Sequence, residues 1–214
     1  LAAVDGFNIR IIGQQAHGAY PELGVDPVVM AAQVVMGLQT IRSRNLPSLE
    51  PSVVTVGRIS GGTRRNIIPE DVIMEGTVRT YSPQVRDDIE RRMEEIVAGI
   101  VAAGGGQYEL QYDRGTPATI NDATLTQQMA PTLSKIVGDK VEVLDPVMGG
   151  EDFAYFANEV PGFFFRLGMV APGETSGGHH TPTFKADDAS IPLGMRAMSN
   201  LLIDYLKSRP RMQP

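Results

Sequence analysis

Apolar and polar residues alternate in four short stretches of the first half of the chain, as they do in strands with one buried face. These stretches are residues 7–12, 53–59, 72–80 and 108–112. Two longer stretches, residues 26–44 and 82–103, carry apolar residues at the three- and four-residue spacing of amphipathic helices. The order β-α-β-β-α-β over residues 6–114 predicts an α+β ferredoxin-like domain, in which both helices lie on one face of an antiparallel sheet.

Local signals mark the ends of the two helices. Asp26 followed by Pro27, and Ser82 followed by Pro83, are typical of helix starts, because the first residue caps the helix and proline suits its first turn. The glycine run 104–106 is typical of a helix end. The predicted ferredoxin-like domain therefore covers residues 5–115.

Residues 116–214 have weaker patterns. They predict a helix over 121–137 with a kink at Pro131, a short strand at 141–144, a loop at 146–152 that enters a short helix, an apolar strand at 163–167 and a last helix at 189–207, followed by a frayed tail from Ser208. Two strands and three helices make a thin core. We therefore expect this segment to be one part of a larger α/β domain.

Composition narrows the classes of function. The 214 residues carry a net charge of −6, which argues against a nucleic-acid partner, and no apolar run reaches membrane-spanning length. The absence of cysteine excludes disulfides and thiolate ligands from this chain. We find no signal-peptide pattern and expect a cytoplasmic protein, and the start at Leu1 without methionine suggests a chain that begins in mid-protein.

Two of the three histidines, His179 and His180, are adjacent in the stretch GGHHTPTF. The glycines before them allow a tight turn, and Pro182 predicts that His180 is extended or in a turn. Neutral imidazole is a common ligand of zinc and related metals. The alternative is a surface loop that happens to hold two histidines, since a metal site needs at least three protein ligands.

Three polar residues in the first domain are further candidates. His17 lies in a loop and is either functional or an ordinary loop histidine. Asn66 follows two arginines in a loop that either binds a carboxylate or is a solvated turn. Arg79 lies on the polar face of a predicted strand, where the alternative role is cross-strand pairing with Glu75 or Glu109.

The stretch from Gly149 to Asp152 places two carboxylates behind two glycines at a helix start. The helix dipole favours acidic groups there, so capping explains them, and lining a pocket is the alternative. Neither GxxxxGK[ST] nor a GxGxxG after a strand is present, which argues against nucleotide binding.

Four motifs in the chain resemble the zinc aminoacylase/carboxypeptidase family, in the amidohydrolase branch that includes hippurate hydrolase and auxin–amino-acid conjugate hydrolases. They are GQQAHGAYP with GVDP at 13–27, RNIIP with GTVR at 65–79, MGGEDF at 148–153 and HHTPTF at 179–184. The resemblance implies a ferredoxin-like lid, usually a dimerisation domain, inserted into a metal-binding α/β domain.

The resemblance also implies roles for individual residues. His180 matches a metal ligand, whereas the preceding His179 does not. His17 matches the lid histidine that polarises the scissile carbonyl, often in the partner subunit's active site. Asn66 and Arg79 match substrate-binding positions in the lid. Gly149, Gly150 and Glu151 lie in a loop that lines the pocket.

The family's amino-terminal metal motif, its glutamate pair and a further metal histidine have no counterpart here. The chain is therefore expected to be a fragment that is inactive alone. The intact protein is expected to be a homodimer that hydrolyses N-acyl amino acids or dipeptide-like amides with two divalent metals, zinc or else manganese, cobalt or nickel, whose other ligands lie outside this chain. A non-catalytic dimerisation or ligand-binding module, including a ferredoxin-like domain with no hydrolase link, is the alternative.

Overall fold

The computed structural model describes residues 1–208. These residues form two compact units. The first contains Leu1–Thr119 and Pro146–Tyr155, and the second contains Ile120–Asp145 and the segment from Phe156 on. The segment Pro146–Tyr155 thus groups with the ferredoxin-like unit, and the expected domains 5–115 and 116–214 stay a prediction.

The first unit has six strands and two long helices. In chain order they are β1 Ala3–Ile12, β2 Ala16–His17, α1 Pro27–Thr40, β3 Ser52–Gly61, β4 Ile67–Ile68, β5 Asp71–Thr80, α2 Pro83–Ala103 and β6 Gln107–Arg114. A short 3-10 turn, Pro21–Leu23, precedes α1, and a π-turn, Ile41–Asn45, follows it. All four long strands predicted by alternation are present.

The four long strands form one antiparallel sheet in the order β3-β5-β1-β6. The central strands β1 and β5 pair along their whole length, from Ala3 with Thr80 to Ile12 with Asp71. Strands β3 and β6 are the two edges. This topology confirms the ferredoxin-like α+β fold.

The helices α1 and α2 cover one face of the sheet and enclose the core, as predicted. The buried side chains come from alternate positions of the strands and from one stripe of each helix. They include Phe7, Ile9, Ile11, Met30, Val34, Leu38, Met74, Val78, Ile89, Met93 and Val97. The opposite face of the sheet is polar and open, because Asn8, Arg10, Thr55 and Glu75 point away from the helices.

Side-chain caps start both helices where the sequence predicts. The Oδ1 atom of Asp26 accepts from the backbone N–H of Val28 at 2.9 Å, and Oγ of Ser82 accepts from the N–H of Val85 at 3.4 Å. Each cap satisfies an N–H group that has no partner inside the helix.

A buried carboxylate joins β1, α2 and β6. Asp5 is 2% exposed and accepts from Nε of Arg86 at 2.8 Å, from Nη2 of Arg86, from the hydroxyl of Tyr112 at 2.9 Å and from the N–H of Gly115 at 3.1 Å. Four donors compensate the cost of burying the charge. The network therefore ties Asp5 of β1 to Gly115, the residue at which the chain leaves the sheet after β6.

The second unit is helical. It contains α3 Ala123–Val137 with Pro131 inside it, a 3-10 turn Gly138–Lys140, and α5 Ser190–Ser208; the short helix α4, Phe153–Glu159, crosses the boundary between the units. The kink at Pro131 stays a prediction. Ser208 ends α5, and the rest of the predicted frayed tail lies outside the described residues.

The strands predicted at 141–144 and 163–167 are wrong, because neither segment has strand structure. Within the described residues neither has a neighbouring strand to pair with, and a strand without a partner leaves its backbone groups unsatisfied. The N–H and C=O of Phe164 instead pair with the side chain of Asn121, both at 2.8 Å. None of the helices in residues 1–208 is long and apolar enough to cross a bilayer.

Candidate functional site

His17 lies at one end of the first unit, in the two-residue strand β2. This strand pairs with β4, so that His17 is opposite Ile67, and the N–H of Gly18 donates to the carbonyl of Asn66 at 2.8 Å. A side chain at Gly18 would crowd the backbone of Asn66, which explains glycine there. The fold therefore brings together the histidine loop and the Asn66 loop, which are 49 residues apart in sequence (66 − 17).

The imidazole of His17 is held by its own loop. The N–H of Ala19 donates to Nδ1 at 3.0 Å, and the ring of Tyr20 contacts the imidazole at a centroid distance of 5.6 Å. Because Nδ1 accepts, the neutral ring carries its proton on Nε2. Nε2–H is therefore the donor that His17 presents, and the side chain is exposed.

Asn66 belongs to a tight turn before β4. The N–H of Ile67 donates to the carbonyl of Arg64 at 3.3 Å, and the residues from Thr63 to Asn66 are exposed. The side chains of Arg64, Arg65 and Asn66 make no hydrogen bond in the described part of the chain. Their polar groups are available to a ligand.

Arg79 lies near the other end of β5, half-buried on the open face of the sheet. The alternative of a cross-strand ion pair does not hold, because Glu75 pairs with Arg58 at 2.9 Å and Glu109 with Arg10 at 3.7 Å. Among the residues described, no carboxylate lies within ion-pair distance of Arg79. Its guanidinium is free to bind a carboxylate.

The Gly149–Gly150 loop lies at the Arg79 end of the sheet. The N–H of Ala2 donates to the carbonyl of Gly149 at 3.0 Å, and a side chain at Gly150 would overlap Val4. Val4 is the cross-strand partner of Arg79. The structure therefore groups Arg79 with the glycine loop.

Two contacts anchor the same loop. The hydroxyl of Tyr81 donates to the carbonyl of Val147 at 2.5 Å, and partial burial raises the pKa of this phenol. The carboxylate of Glu151 accepts from the N–H of Phe153 at 3.3 Å at the start of α4. Capping therefore accounts for Glu151, and its predicted pocket-lining role stays a prediction.

The candidates in the first unit form two sets at opposite ends of the sheet. His17 and Asn66 lie beyond the end where Ile12 pairs with Asp71, and Arg79 pairs with Val4 near the other end. The eight residue steps from Asp71 to Arg79 span about 26 Å of extended strand. The two sets are therefore well separated within a single copy of the chain.

His180 lies in a turn of the second unit, one of the two predicted conformations, and its φ of 63° is in the left-handed region that few residues other than glycine adopt. The turn is closed by bonds from the N–H of Gly177 to the carbonyl of Thr183 at 3.0 Å and from Oγ1 of Thr181 to the carbonyl of Gly178 at 2.8 Å. A side chain at Gly177 would overlap the hydroxyls of both threonines. The turn holds the imidazole of His180 in the exposed position.

His179 differs from its neighbour in its contacts. Its ring packs edge-on against Phe184 at a centroid distance of 5.5 Å, and the rings of His179 and His180 are 6.5 Å apart. In residues 1–208 no group of three His, Asp or Glu side chains is placed to hold a metal ion. His180 alone does not make a metal site, since at least three protein ligands are needed.

Sequence reasoning did not assign the roles of Ala19 and Tyr20, the residues that hold the imidazole of His17. Their adjacency to His17 was the one available signal. The partner of Gly150 was also missed. Val4 and Gly150 are far apart in sequence, and no local pattern connects them.

Comparison with known proteins shows which proteins the chain is similar to. Residues 3–104 match the model of the peptidase dimerisation domain M20_dimer. The chain is 38% identical over 195 residues, 89% of its length, to the N-acetyl-L-cysteine deacetylase of Bacillus subtilis (strain 168), of which it covers 45%. It is 31% identical over 214 residues, 98% of its length, to the IAA-amino acid hydrolase ILR1-like 2 of Arabidopsis thaliana, of which it covers 48%.

Solved structures agree. A putative aminohydrolase from methicillin resistant Staphylococcus aureus superposes with a TM-score of 0.85 at 30% identity, over 96% of this chain and 53% of that one. The Bacillus subtilis YXEP protein, described as a dinuclear metal binding peptidase from the M20 family, gives a TM-score of 0.76 at 28% identity, over 97% and 51%. The chain spans about half the length of these relatives. Residues 3–104 therefore match the peptidase dimerisation domain of the M20 family, and over nearly its whole length the chain is similar to deacetylases, amidohydrolases and a peptidase of that family.

Proposed function

We propose that the intact protein is a homodimeric, metal-dependent amidohydrolase that cleaves N-acyl amino acids, with each active site built from two copies of the chain. The names of similar proteins support the reaction, since they include an N-acetyl-L-cysteine deacetylase, an N-acetyldiaminopimelate deacetylase and an IAA-amino acid hydrolase. Each of these activities breaks an amide bond between an acyl group and an amino acid.

The observation that carries the proposal is the separation of the two sets of candidate residues. His17 and Asn66 lie beyond the Asp71 end of β5, about 26 Å of extended strand separates Asp71 from Arg79, and both sets present free polar groups. A small substrate contacts both only when they come from different copies. A dimer is therefore part of the mechanism.

The edge strands indicate how the two copies meet. Strand β6 carries Glu109, Asp113 and Arg114, and charge on an edge discourages pairing. Strand β3 has one charged residue, Arg58, in ten, and its edge is open. We therefore assign β3 as the strand that pairs with its own copy.

Antiparallel pairing of two β3 strands aligns the opposite ends. Within one copy Ser52 pairs with Thr80 at the Arg79 end, and Gly61 pairs with Val72 at the His17 end. A twofold axis between the two β3 strands sets the Ser52 end of one copy beside the Gly61 end of the other. The two β5 strands are then three strand spacings, about 14 Å, apart, a gap that two side chains and a substrate span.

Each residue has a distinct part in the reaction. Arg79 binds the substrate carboxylate, for which the planar guanidinium fork is suited. His17 and Asn66 of the other copy face the scissile amide. Nε2–H of His17 donates to the carbonyl oxygen, and this bond strengthens as negative charge develops there in the transition state.

The metal requirement rests on His180 and on residues outside this chain. His180 contributes one imidazole, and the described residues do not complete its ligand set. A divalent metal, when bound, supplies a Lewis acid and an activated water. Of the relatives above, the YXEP protein is the one described as binding two metals.

Mixed dimers test the composite site. The intact protein would be prepared as His17→Ala and as Arg79→Ala, each with little activity, and the two variants would be unfolded or dissociated, mixed and reassembled. Statistical mixing makes half of the dimers heterodimers with one intact site each, so about a quarter of the wild-type activity is expected to return.

The control is each variant reassembled with itself, which is expected to regain nothing. If mixing restores no activity while heterodimers form, both sets act within one copy and the composite site is wrong. If the intact wild-type protein with zinc, manganese or cobalt hydrolyses no N-acyl amino acid, the reaction is wrong, and a dimerisation or binding module is the better description.

A further inference from the structure

The arginines of the first unit divide into paired and unpaired side chains. Residues 1–119 contain eleven arginines and no lysine. Six have a carboxylate partner: Arg10, Arg58, Arg86, Arg91, Arg92 and Arg114. Two more, Arg42 and Arg44, donate to backbone carbonyls.

The remaining three, Arg64, Arg65 and Arg79, make no hydrogen bond and no ion pair within residues 1–208. This is notable in a chain of net charge −6, where acidic partners are abundant. The fold pairs its other arginines and leaves free those at or beside the candidate substrate positions. Arg79 is accounted for by the proposed function, whereas Arg64 and Arg65 are not.

The position of Arg64 and Arg65 is set by the backbone. Their turn is closed by the bond from Ile67 N–H to the Arg64 carbonyl, and the next residue, Asn66, is bonded to Gly18 beside His17. Both guanidinium groups are thus carried on the loop that presents Asn66. A ligand that contacts His17 and Asn66 lies within reach of two adjacent cations.

We propose that Arg64 and Arg65 select substrates with a second negative charge, the class of N-acyl amino acids that bear a carboxylate on the side chain or the acyl group. This inference rests on the proposed function, in which Arg79 of the other copy binds the first carboxylate. The paired guanidinium groups bind the second, at the far end of the substrate. Two adjacent forks suit one carboxylate, because each offers parallel N–H donors.

The test compares two substrates of equal shape in the intact protein. N-acetylglutamate carries a second carboxylate, and N-acetylglutamine has a neutral amide in its place. The wild-type protein is expected to prefer N-acetylglutamate in kcat/KM by about tenfold, since hydrogen bonds between charged groups are stronger than neutral ones. The double variant Arg64→Ala/Arg65→Ala is expected to lose this preference, mainly through KM, and to keep its kcat/KM for N-acetylglutamine within about twofold.

A matched control separates local recognition from general charge. The double variant Arg42→Ala/Arg44→Ala removes the same charge from the π-turn after α1, where the side chains bond only to backbone carbonyls. It is expected to keep the preference. The inference is wrong if both double variants lose the preference for N-acetylglutamate equally, or if Arg64→Ala/Arg65→Ala lowers kcat/KM equally for both substrates. It is also wrong if Arg64→Ala/Arg65→Ala dissociates the dimer, because that result would assign the two arginines to the subunit interface.

Binding calorimetry with the same two compounds distinguishes this inference from the proposed function. Selective binding of N-acetylglutamate that is lost in Arg64→Ala/Arg65→Ala, without hydrolysis of either compound, supports the anion subsite and contradicts the amidohydrolase. Hydrolysis of both compounds with no selectivity supports the amidohydrolase and contradicts the subsite.

Discussion

The backbone N–H of Ala19 donates to Nδ1 of His17 at 3.0 Å. This bond assigns the proton of the neutral imidazole to Nε2 and makes it a hydrogen-bond donor toward solvent. An unassisted loop histidine would exchange between its two neutral forms. The short turn after β2 thus prepares His17 for the one role, donation to an oxygen, that the proposed reaction requires.

Replacing His17 by alanine is expected to lower kcat and kcat/KM of the intact protein by similar factors. The loss should be on the order of a hundredfold, because the donor acts mainly on the transition state. Metal content, measured by mass spectrometry, should be unchanged. Loss of metal, or a rise in KM alone, would contradict the role of donor to the oxyanion.

The two adjacent histidines make a matched pair of substitutions. His180→Ala is expected to reduce the metal content of the intact protein, and activity with it, because a ligand is removed. His179→Ala is expected to keep the metal, since this ring packs on Phe184. Equal metal content in both variants would show that His180 is not a ligand.

The edge strand β3 is open to a direct test. Thr55 is exposed near the middle of β3, so twofold pairing of two β3 strands would bring it close to Thr55 of the other copy. Thr55→Lys would then place two like charges side by side and is expected to give monomers. The control Gln111→Lys places the same charge on the other edge and should leave the dimer intact. Sedimentation velocity at micromolar concentration measures both, and the reverse result would move the interface to β6.

Gly76 in the centre of the sheet is expected to tolerate no side chain. It pairs with Phe7, and a methyl group there would overlap the Phe7 ring and the carbonyl of Thr55. Gly76→Ala should therefore lower the free energy of unfolding by about 1–3 kcal/mol, the usual cost of overpacking a core. Urea unfolding measures the change.

The control for this variant is Gly99→Ala in α2, where nothing lies within 4 Å of an added Cβ. Alanine has a higher helix propensity than glycine, so the free energy of unfolding of this variant should rise by about 0.5–1 kcal/mol. Equal effects at the two positions would show that the close approach of Phe7 to Gly76 is not what requires glycine.

Stability at alkaline pH should depend on Tyr112. Burial, followed by the charge of Asp5, raises the pKa of this phenol well above its ordinary value of 10.0. Below pH 10 the phenol is protonated in both the folded and the unfolded chain, and its contribution to the free energy of unfolding is complete. Above pH 10 it ionises in the unfolded chain first, so the free energy of unfolding falls as pH rises.

Tyr112→Phe is expected to lower the free energy of unfolding by about 1 kcal/mol at pH 8, since one hydrogen bond to Asp5 is removed. The difference in free energy of unfolding between wild type and variant should then narrow between pH 10 and 11. Ionisation of Tyr112 in the unfolded chain lowers the wild-type value, whereas the variant has no phenol at this position to ionise. Urea unfolding across this range measures it. A constant difference would contradict the raised pKa of Tyr112.

The sequence by itself determined the long strands and helices of the first unit and the residue types of the site. Alternation and helical periodicity depend on which side of each element is buried, and this information is local. The four long strands, the two helices and their caps at Asp26 and Ser82 followed from it, whereas the two-residue strands β2 and β4 did not. The motifs containing His17, Asn66, Arg79 and His180 were visible as residue types.

The tertiary structure decided which of these residues lie together. Strand pairing sets His17 beside Asn66 and separates both from Arg79, and it brings Val4 against Gly150. Such contacts join residues far apart in sequence, and the choice of partner depends on packing of the whole sheet. The same reason explains why the strands predicted at 141–144 and 163–167 are absent. An apolar segment becomes a strand only when another strand supplies its backbone partners.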